Sequence, residues 1–552
     1  MSDGGHVWWD DAVVYQVYPR SFADADGDGV GDLPGLRTRL GYLADLGVDA
    51  VWLTPFYPSP LADGGYDVSD YCAVDPLLGT MADFDGLVRD AAAHQIRVIV
   101  DLVPNHCSSE HPLFQAALAA GPGSRERDRF IFREGRGPGG DEPPNNWQSS
   151  FGGSAWTRVT EADGRPGQWY LHLYDSGQPD WNWHDKDVPA LFEDVIRFWL
   201  DHGAAGLRVD VAHGLFKDPD LPDIIGEHPL NSPSPYRHRP ELHELYRTWR
   251  AILDSYPADG FPGTRTAIGE VWYDAPETLL PYLTDDGLPQ VFNFELILAR
   301  WQAAVLGHAI DEVDALAGGS RAPWVIGNHD VARPASRYRL DEGFTPRTVA
   351  ELIALGDRDA AKGARRARAA ALLLLALPGS AYIYQGEELG LPEVTDIPDQ
   401  ARQDPTFRRT HGRVPGRDGC RVPLPWTQAG LGLGFSGAEP AAPPWLPQPA
   451  DWGRLSVGAQ LADDTSFLAL YRAALRLRRE HPALGRGTLN WLGDPGAAGA
   501  GLVAFAREPG FTLAANLGPD PAPLPPHREI LLASGPLAGG LLPPDTAVWL
   551  AS

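Results

Sequence analysis

Asp210, Glu270 and Asp330 each close a short run of apolar, largely β-branched residues: GLRVDVA (206–212), TAIGEVW (266–272) and PWVIGNHD (323–330). Nearly continuous apolar runs of this length read as parallel strands buried on both faces. The C-terminal ends of such strands open onto the catalytic face of a (β/α)8 barrel. Two carboxyl groups either side of an anomeric carbon are what glycosidic cleavage takes: one protonates the leaving oxygen, the other attacks carbon or activates water. Their pKa values must be set apart. Arg208 stands two residues before Asp210, and strand alternation places both side chains on one face. A neighbouring guanidinium lowers a carboxylate pKa, which fits Asp210 as the charged member. Glu270, between Gly269 and the apolar Val271 and Trp272, is expected in a desolvated setting that raises its pKa and suits a general acid. His329, directly before Asp330, adds a further polar group at the same strand ends.

Eight strands must hold these groups. The candidates are VVYQVYP (13–19), VDAVWLTP (48–55), RVIVDLVPNH (97–106), GLRVDVA, TAIGEVW, QVFNFEL (290–296), PWVIGNHD and AYIYQGEE (381–388). Stretches with apolar positions three or four apart lie between most of them, clearest at 33–47, 81–95 and 188–203. Strand–helix alternation repeated eight times predicts a closed parallel TIM barrel over 1–106 and 178–482. Residues 107–177 are rich in Gly, Pro, Asn and Trp and show no helical period, so they are expected to form an inserted, loop-rich domain after strand 3. A second irregular, Pro- and Trp-rich excursion runs near 390–460. Residues 483–552 alternate short apolar runs with Gly and Pro, as in GLVAFAREPGFTLAANLG (501–518), and predict a C-terminal antiparallel β-domain.

Bulk composition narrows the class of partner. At 552 residues the chain calls for more than one domain, and 43% apolar residues with 18 Trp support a large core. A net charge of -27 repels nucleic acid and anionic membranes and suits a neutral ligand. The three cysteines, Cys72, Cys107 and Cys420, are too sparse for a disulfide framework and fit a reducing cytosol. Cys107 follows His106 directly and is expected to be a packing residue. The N-terminal segment has no basic region leading into an apolar stretch, and the longest apolar run, AALLLLAL (370–377), is too short for a bilayer. The expected location is cytoplasmic, with no membrane and no nucleic-acid partner, and as monomer or homodimer.

DLVPNH (101–106), GLRVDVAHG (206–214), GEVW (269–272) and IGNHD (326–330) resemble, in order, four motifs of glycoside hydrolase family 13. QPDWNW (178–183), YQVYPRSFADADGDGVGDLPG (15–35) and PPNNWQSSFGGSAW (143–156) are similar to its oligo-1,6-glucosidase and α-glucosidase branch. The resemblance spans essentially the whole chain. It implies Asp210 as nucleophile, Glu270 as acid/base and Asp330 as transition-state stabiliser. It makes His106 and His329 the histidines that hydrogen-bond the terminal glucose, and Arg208 the residue orienting the nucleophile. Tyr66, in DGGYDVSDY (63–71), matches the aromatic platform under that sugar. Asp63 and Arg417, the latter in GRDGCRVP (416–423) with Arg413 and Arg421 nearby, match the pair that grips the 4- and 6-hydroxyls. Such a pair closes the pocket, so the implied activity is exo: glucose released from the non-reducing end of small α-glucosides, with retention and possible glucosyl transfer.

DADGDGVGD (24–32) spaces Asp24, Asp26, Asp28 and Asp32 around three glycines. Alternate carboxylates on a tight loop suit a hard cation, although position twelve is Gly35 rather than the Glu of a complete EF-hand, and a bare acidic turn is the alternative. The resemblance implies structural Ca2+ or Mg2+ held by the four acids and the Val30 carbonyl, with no organic cofactor. Val211 after the nucleophile is of the kind that accompanies α-1,6 preference in this branch. AHGLFKDPDLPD (212–223) and ELHELYRTWR (241–250) look more like bacterial α-glucosidases, favouring α-1,4 substrates such as maltose. Isomaltose-type substrates are the near alternative. A sucrose- or maltose-acting transferase or isomerase would share the scaffold, but no RLDRD-type motif follows position 272. A transporter heavy-chain relative would need a membrane helix and commonly lacks part of the triad. A sugar-binding module would have no use for strand-end acids.

Overall fold

The computed structural model describes residues 7–226, 233–317, 322–341, 348–356, 358–437, 440–497, 501–537 and 539–552. Eight parallel strands follow one another: β1 (Val13–Val17), β2 (Ala50–Leu53), β3 (Arg97–Leu102), β4 (Gly206–Val209), β5 (Thr266–Gly269), β6 (Gln290–Val291), β7 (Pro323–Val325) and β8 (Ser380–Tyr384). They pair in the order β7-β8-β1-β2-β3-β4-β5-β6. The sheet curls until its two edges approach, and there Asn293 Nδ2 donates to the Pro323 carbonyl at 2.8 Å. Val14, Ala50, Trp52, Ile99, Ile268, Phe292 and Val325 fill the barrel with apolar side chains. The antiparallel C-terminal sheet, of which Leu502–Arg507, Phe511–Asn516 and Thr546–Ala551 form the centre, docks on the helix Ala360–Ala376. Trp549 Nε1 donates to Leu372 O at 3.0 Å and Arg507 to Ala376 O at 2.7 Å across that seam.

The helices follow their sequence signals with two differences. Asp187–Asp201 buries Val188, Phe192, Val195, Ile196, Trp199 and Leu200, one apolar stripe at helical spacing. Met81–Ala93 begins at Thr80, whose hydroxyl and the Asp83 carboxylate form a reciprocal capping box. The stretch 33–47, read as one helix, is two: Leu33–Thr38 and Leu40–Leu46. The first turns off at Arg39, whose N–H bonds back to Leu36 O and whose guanidinium lies over Trp426 at 4.2 Å. The stretch after β3, read as lacking helical period, opens on the helix Pro112–Ala120. Pro112 supplies a pre-set first-turn φ, and the His111 ring caps Leu113 N. Beyond it comes a small antiparallel sheet of Phe132–Arg133, Pro166–Leu171 and Trp156–Thr160.

The irregular chain after β8 is held by tryptophans. Trp426 Nε1 donates to Phe22 O at 2.7 Å, and Trp445 Nε1 to Ser21 Oγ at 3.0 Å. Ser21 Oγ in turn donates to Arg421 O at 2.5 Å, which seats 417–421 against the chain that follows β1. Among the described residues no helix is long and apolar enough to cross a membrane.

Candidate active site

The acids at the strand ends meet around one guanidinium. Asp210 follows β4 and Glu270 follows β5; their backbone N–H groups extend the ladder to Leu102 O and Val209 O, both at 2.8 Å. Arg208, buried on β4, reaches Asp210 Oδ1 at 2.6 Å, Glu270 Oε2 at 2.8 Å and Asp101 Oδ1 at 2.9 Å. Asp101 was not singled out in the sequence, although it is the one fully buried charged residue of β3 in RVIVDL. Its carboxylate also accepts from the Tyr66 hydroxyl at 3.0 Å.

Asp330 lies five residues beyond the end of β7, on a turn pinned by Asn328 Oδ1, which accepts from Asp330 N at 2.8 Å. The His329 ring stacks on Tyr66 with centroids 5.3 Å apart and an interplanar angle of 2°. Gln16 Nε2 faces its Nδ1 at 2.6 Å, so Nε2 carries the proton and meets Tyr66 Oη at 2.8 Å and Asp330 Oδ2 at 3.3 Å. Burial pushes the imidazole down to about 3, which keeps it neutral.

Arg417 gathers three carboxylates: Asp63 at 2.5 Å, Asp404 at 2.5 Å and Asp330 at 3.0 Å. Arg421 adds a second guanidinium on Asp330 at 3.0 Å, whereas Arg413 turns away to Thr410 O. The expected Asp63–Arg417 pair is therefore present as an ion pair, and Asp404 and Arg421 extend it. His106 sits on the adjoining wall. Its Nε2 is 3.1 Å from Gln178 Nε2 and its Nδ1 is 3.0 Å from Asn105 Nδ2. Burial lowers its pKa to about 4.

Together Asp63, Tyr66, His106, Asp210, Val211, Glu270, His329, Asp330 and Arg417 line one narrow cavity of about 60 Å³, roofed by Phe151 and Tyr174 from the inserted segment. Phe151 and Tyr174 carry no helical or strand period in sequence, which is why reading for period passes over them.

Electrostatics depart from expectation at the centre. Asp210 was expected below the usual carboxylate range because of Arg208. Burial dominates instead and pushes it well up; Arg208 opposes this, while the charges of Glu270 and Asp101 add to the rise. Glu270 is not in the apolar setting expected. It accepts from Arg208, from Val211 N at 3.1 Å and from Trp272 Nε1 at 2.9 Å. Val211 makes that bond from φ +47°, a left-handed conformation that a β-branched residue rarely adopts. Asp330 behaves oppositely: burial raises it, but the His329 N–H, Arg417 and Arg421 carry it well below the ordinary value. The Cys107 thiol is buried and pushed well up, consistent with packing.

The acidic loop lies apart from this cavity. Asp24, Asp26 and Asp28 bring one oxygen each within 4.8 Å of the others. Gly27 (φ +83°) and Gly29 (φ +93°) permit the tight turn, and their N–H groups bond the Asp24 carboxylate. Asp32 stands outside that cluster and accepts from Ala25 N at 3.0 Å and Gly35 N at 2.5 Å, capping the next helix. Three converging carboxylates fit a hard divalent cation.

A family model described as the alpha-amylase catalytic domain matches residues 16–487. The chain belongs to the alpha-amylase catalytic-domain family. Within it, the chain is 36% identical over 522 residues to a probable alpha-glucosidase of Rhizobium meliloti, covering 91% of this chain and 87% of that one. It is 34% identical to an oligo-1,6-glucosidase of Parageobacillus thermoglucosidasius over 87% and 85% of the two chains. A crystal structure of an alpha-glucosyl transfer enzyme superposes with a TM-score of 0.83 at 35% identity, covering 99% of each. This alpha-amylase family member is thus a glycoside hydrolase of the α-glucosidase kind, on a (β/α)8 barrel with antiparallel sheet at its C-terminus.

Proposed function

We propose that the protein is an exo-acting, retaining α-glucosidase that removes glucose from the non-reducing end of short α-glucosides, with α-1,4 linkages such as maltose favoured. The observation that carries this reading is the meeting of Asp210, Glu270 and Asp330 in one small cavity walled by the Asp63–Arg417 ion pair at 2.5 Å. A wall bonded so tightly leaves depth for one terminal sugar, whose 4- and 6-hydroxyls meet that pair.

Asp210 attacks the anomeric carbon as Glu270 gives its proton to the departing oxygen. Glu270 then takes a proton from water, which displaces Asp210 from carbon. Two displacements at one carbon retain the anomeric configuration. Burial raises Asp210, and the Arg208 guanidinium at 2.6 Å is the charge that opposes this and favours the ionised nucleophile. Asp330 stays ionised against two guanidiniums and receives sugar hydroxyls. Neutral His329 and His106 hydrogen-bond the same sugar, and the Tyr66 ring covers its apolar face.

Transfer of the glucosyl group to a second sugar is the other reading, favoured by the match over the full length of a glucosyl transfer enzyme. The acidic loop would hold structural Ca2+ or Mg2+ through Asp24, Asp26, Asp28 and the Val30 carbonyl, with Asp32 behind them. The cation's charge would offset the repulsion between the loop's carboxylates. Three unpaired cysteines fit a cytosolic enzyme, and we assign it as monomer or homodimer. The deciding experiment is an initial-rate panel over maltose, isomaltose, sucrose, trehalose and maltotriose, with the first-formed glucose followed by NMR. Maltose is expected to lead and α-glucose to appear first. β-Glucose as the initial product contradicts the double displacement.

A further inference from the structure

The arginines at this cavity are paired, with one exception. Arg208, Arg417 and Arg421 each meet carboxylates, and Arg409 bonds Gly152 O at 2.7 Å. Arg237 meets neither carboxylate nor carbonyl with its guanidinium among the described residues; its one close partner there is the Tyr236 ring, 5.6 Å away. Its position is nevertheless firmly set. Tyr236 is buried against Trp147, with centroids 4.7 Å apart, in the core that joins the inserted segment to the chain after β4. On the other side, His238 N donates to His213 O at 2.7 Å, and the His213 and His238 rings lie 5.3 Å apart. His213 in turn sits 3.4 Å from the Glu270 carbonyl. The half-buried Arg237 is thus held at its backbone between two anchored neighbours, one of them bonded to His213, which adjoins Glu270. Its positive charge reaches Tyr174, which roofs the cavity, and His213; in both it is the largest influence after burial. The opposite wall is occupied by the Asp63–Arg417–Asp404 network, so Arg237 addresses the side from which the leaving group departs.

Resting on the α-glucosidase reading above, we infer that Arg237 is a specificity-determining residue for the departing half of the substrate, and that it favours α-glucosides whose aglycone carries an anionic oxygen, a carboxylate or a phosphate. An anion approaching a chain of net charge -27, beside three carboxylates that share Arg208, is repelled by the surrounding field, and a cation not already paired with a carboxylate offsets that repulsion. A guanidinium also matches both anions with two parallel N–H donors, which a neutral hydroxyl does not use.

The test compares pairs that differ in that charge: α-glucosylglycerate against α-glucosylglycerol for the carboxylate, and trehalose 6-phosphate against trehalose for the phosphate. In the native enzyme the charged-to-neutral ratio of kcat/KM is expected to be about tenfold or more in one of the pairs, as one well-placed charge-assisted contact gives. It should collapse to near one in Arg237→Met, stay intermediate in Arg237→Lys, and shrink as salt rises from about 20 to about 500 mM. The pair that responds tells carboxylate from phosphate. A native ratio at or below one in both pairs, or a ratio unchanged in Arg237→Met, overturns the inference. So does failure to cleave any charged glucoside while maltose is cleaved. Failure on maltose, isomaltose and every other neutral α-glucoside would instead overturn the glycosidase reading itself.

Discussion

Two walls of one cavity use the same ingredients in different proportions. On one, Asp63, Asp330 and Asp404 share two guanidiniums, Arg417 and Arg421. On the other, Asp101, Asp210 and Glu270 share one, Arg208. The better compensated wall holds Asp330 and Asp404 below the ordinary carboxylate range despite burial, although Asp63 remains above it. The poorly compensated wall leaves Asp210 well above that range and Asp101 at about 6. A single additional cation thus separates a surface on which Asp330 and Asp404 stay ionised from one on which Asp210 and Asp101 hold protons more readily.

The sharpest way to break this contrast is to neutralise one acid on each wall. Asp210→Asn and Asp330→Asn should each abolish most turnover of 4-nitrophenyl α-glucoside, on the order of 10⁴-fold for the nucleophile. Their stabilities should diverge in sign at neutral pH. Folding disfavours the charge on Asp210, so Asn there should raise the unfolding midpoint. Folding favours the charge on Asp330, so Asn there should lower it. Thermal unfolding of the two variants reads this directly. Midpoints moving together would show that the cation count does not govern the two walls, and wild-type-like turnover by Asp210→Asn would remove the nucleophile assignment.

A smaller effect should come from Asp101→Asn. Asp101 competes for Arg208 and its charge pushes Asp210 up, so its loss should bring Asp210 down. The acid limb of kcat/KM should move to lower pH by about half a unit or more. A limb that stays in place, or moves up, would mean that the limb reports a group outside this cluster.

Much of this was legible in the chain because strands are legible. Period-two alternation places Arg208 and Asp210 on one face, and apolar runs ending in an acid announce barrel strands. β6 is shorter than its run because, after Phe292 N bonds Gly269 O at 2.9 Å, the chain turns into the short helix Glu295–Leu298. Asp63 and Arg417, 354 residues apart, could be joined only through resemblance to a family. Asp404, Arg421, Phe151 and Tyr174 sit on irregular chain, where no period records which way a side chain points. The pKa of Asp210 was misjudged for a related reason. Sequence shows the guanidinium two residues away but not Glu270 and Asp101 drawing on the same charge.

Burial without close pairing offers a control for the walls. Glu387, whose Oε1 accepts from Tyr384 N, is pushed up to about 8, chiefly by burial, and Glu393 to about 7. Acids raised in this way bind protons more tightly when folded, so the stability they confer is present below about 4.5 and lost as pH rises through the folded values. Between pH 5 and 8, unfolding free energy should fall, by up to about 1.4 kcal/mol per pH unit for each fully linked group. Glu387→Gln, an isosteric stand-in for the neutral acid, should flatten that fall in denaturant titrations at several pH values. An unaltered slope would place Glu387 among groups whose ionisation folding ignores.

The acidic loop completes the series, because Asp24, Asp26 and Asp28 make no ion pair among the described residues. Burial and then the neighbouring carboxylates raise Asp28, so the loop is strained by its own charge unless a cation relieves it. Calcium or magnesium should therefore raise the thermal midpoint of chelator-treated protein by a few degrees, following the mass-action form expected of a ligand that binds the folded state. The loop lies apart from the cavity, so initial rates well below the midpoint should be unchanged. Asp26→Asn, which removes an exposed charge without disturbing the Asp24 hydrogen bonds, should raise the metal-free midpoint slightly and weaken the response to metal. A midpoint indifferent to both chelator and substitution would make the loop a bare turn, held by the Gly27 and Gly29 N–H groups alone.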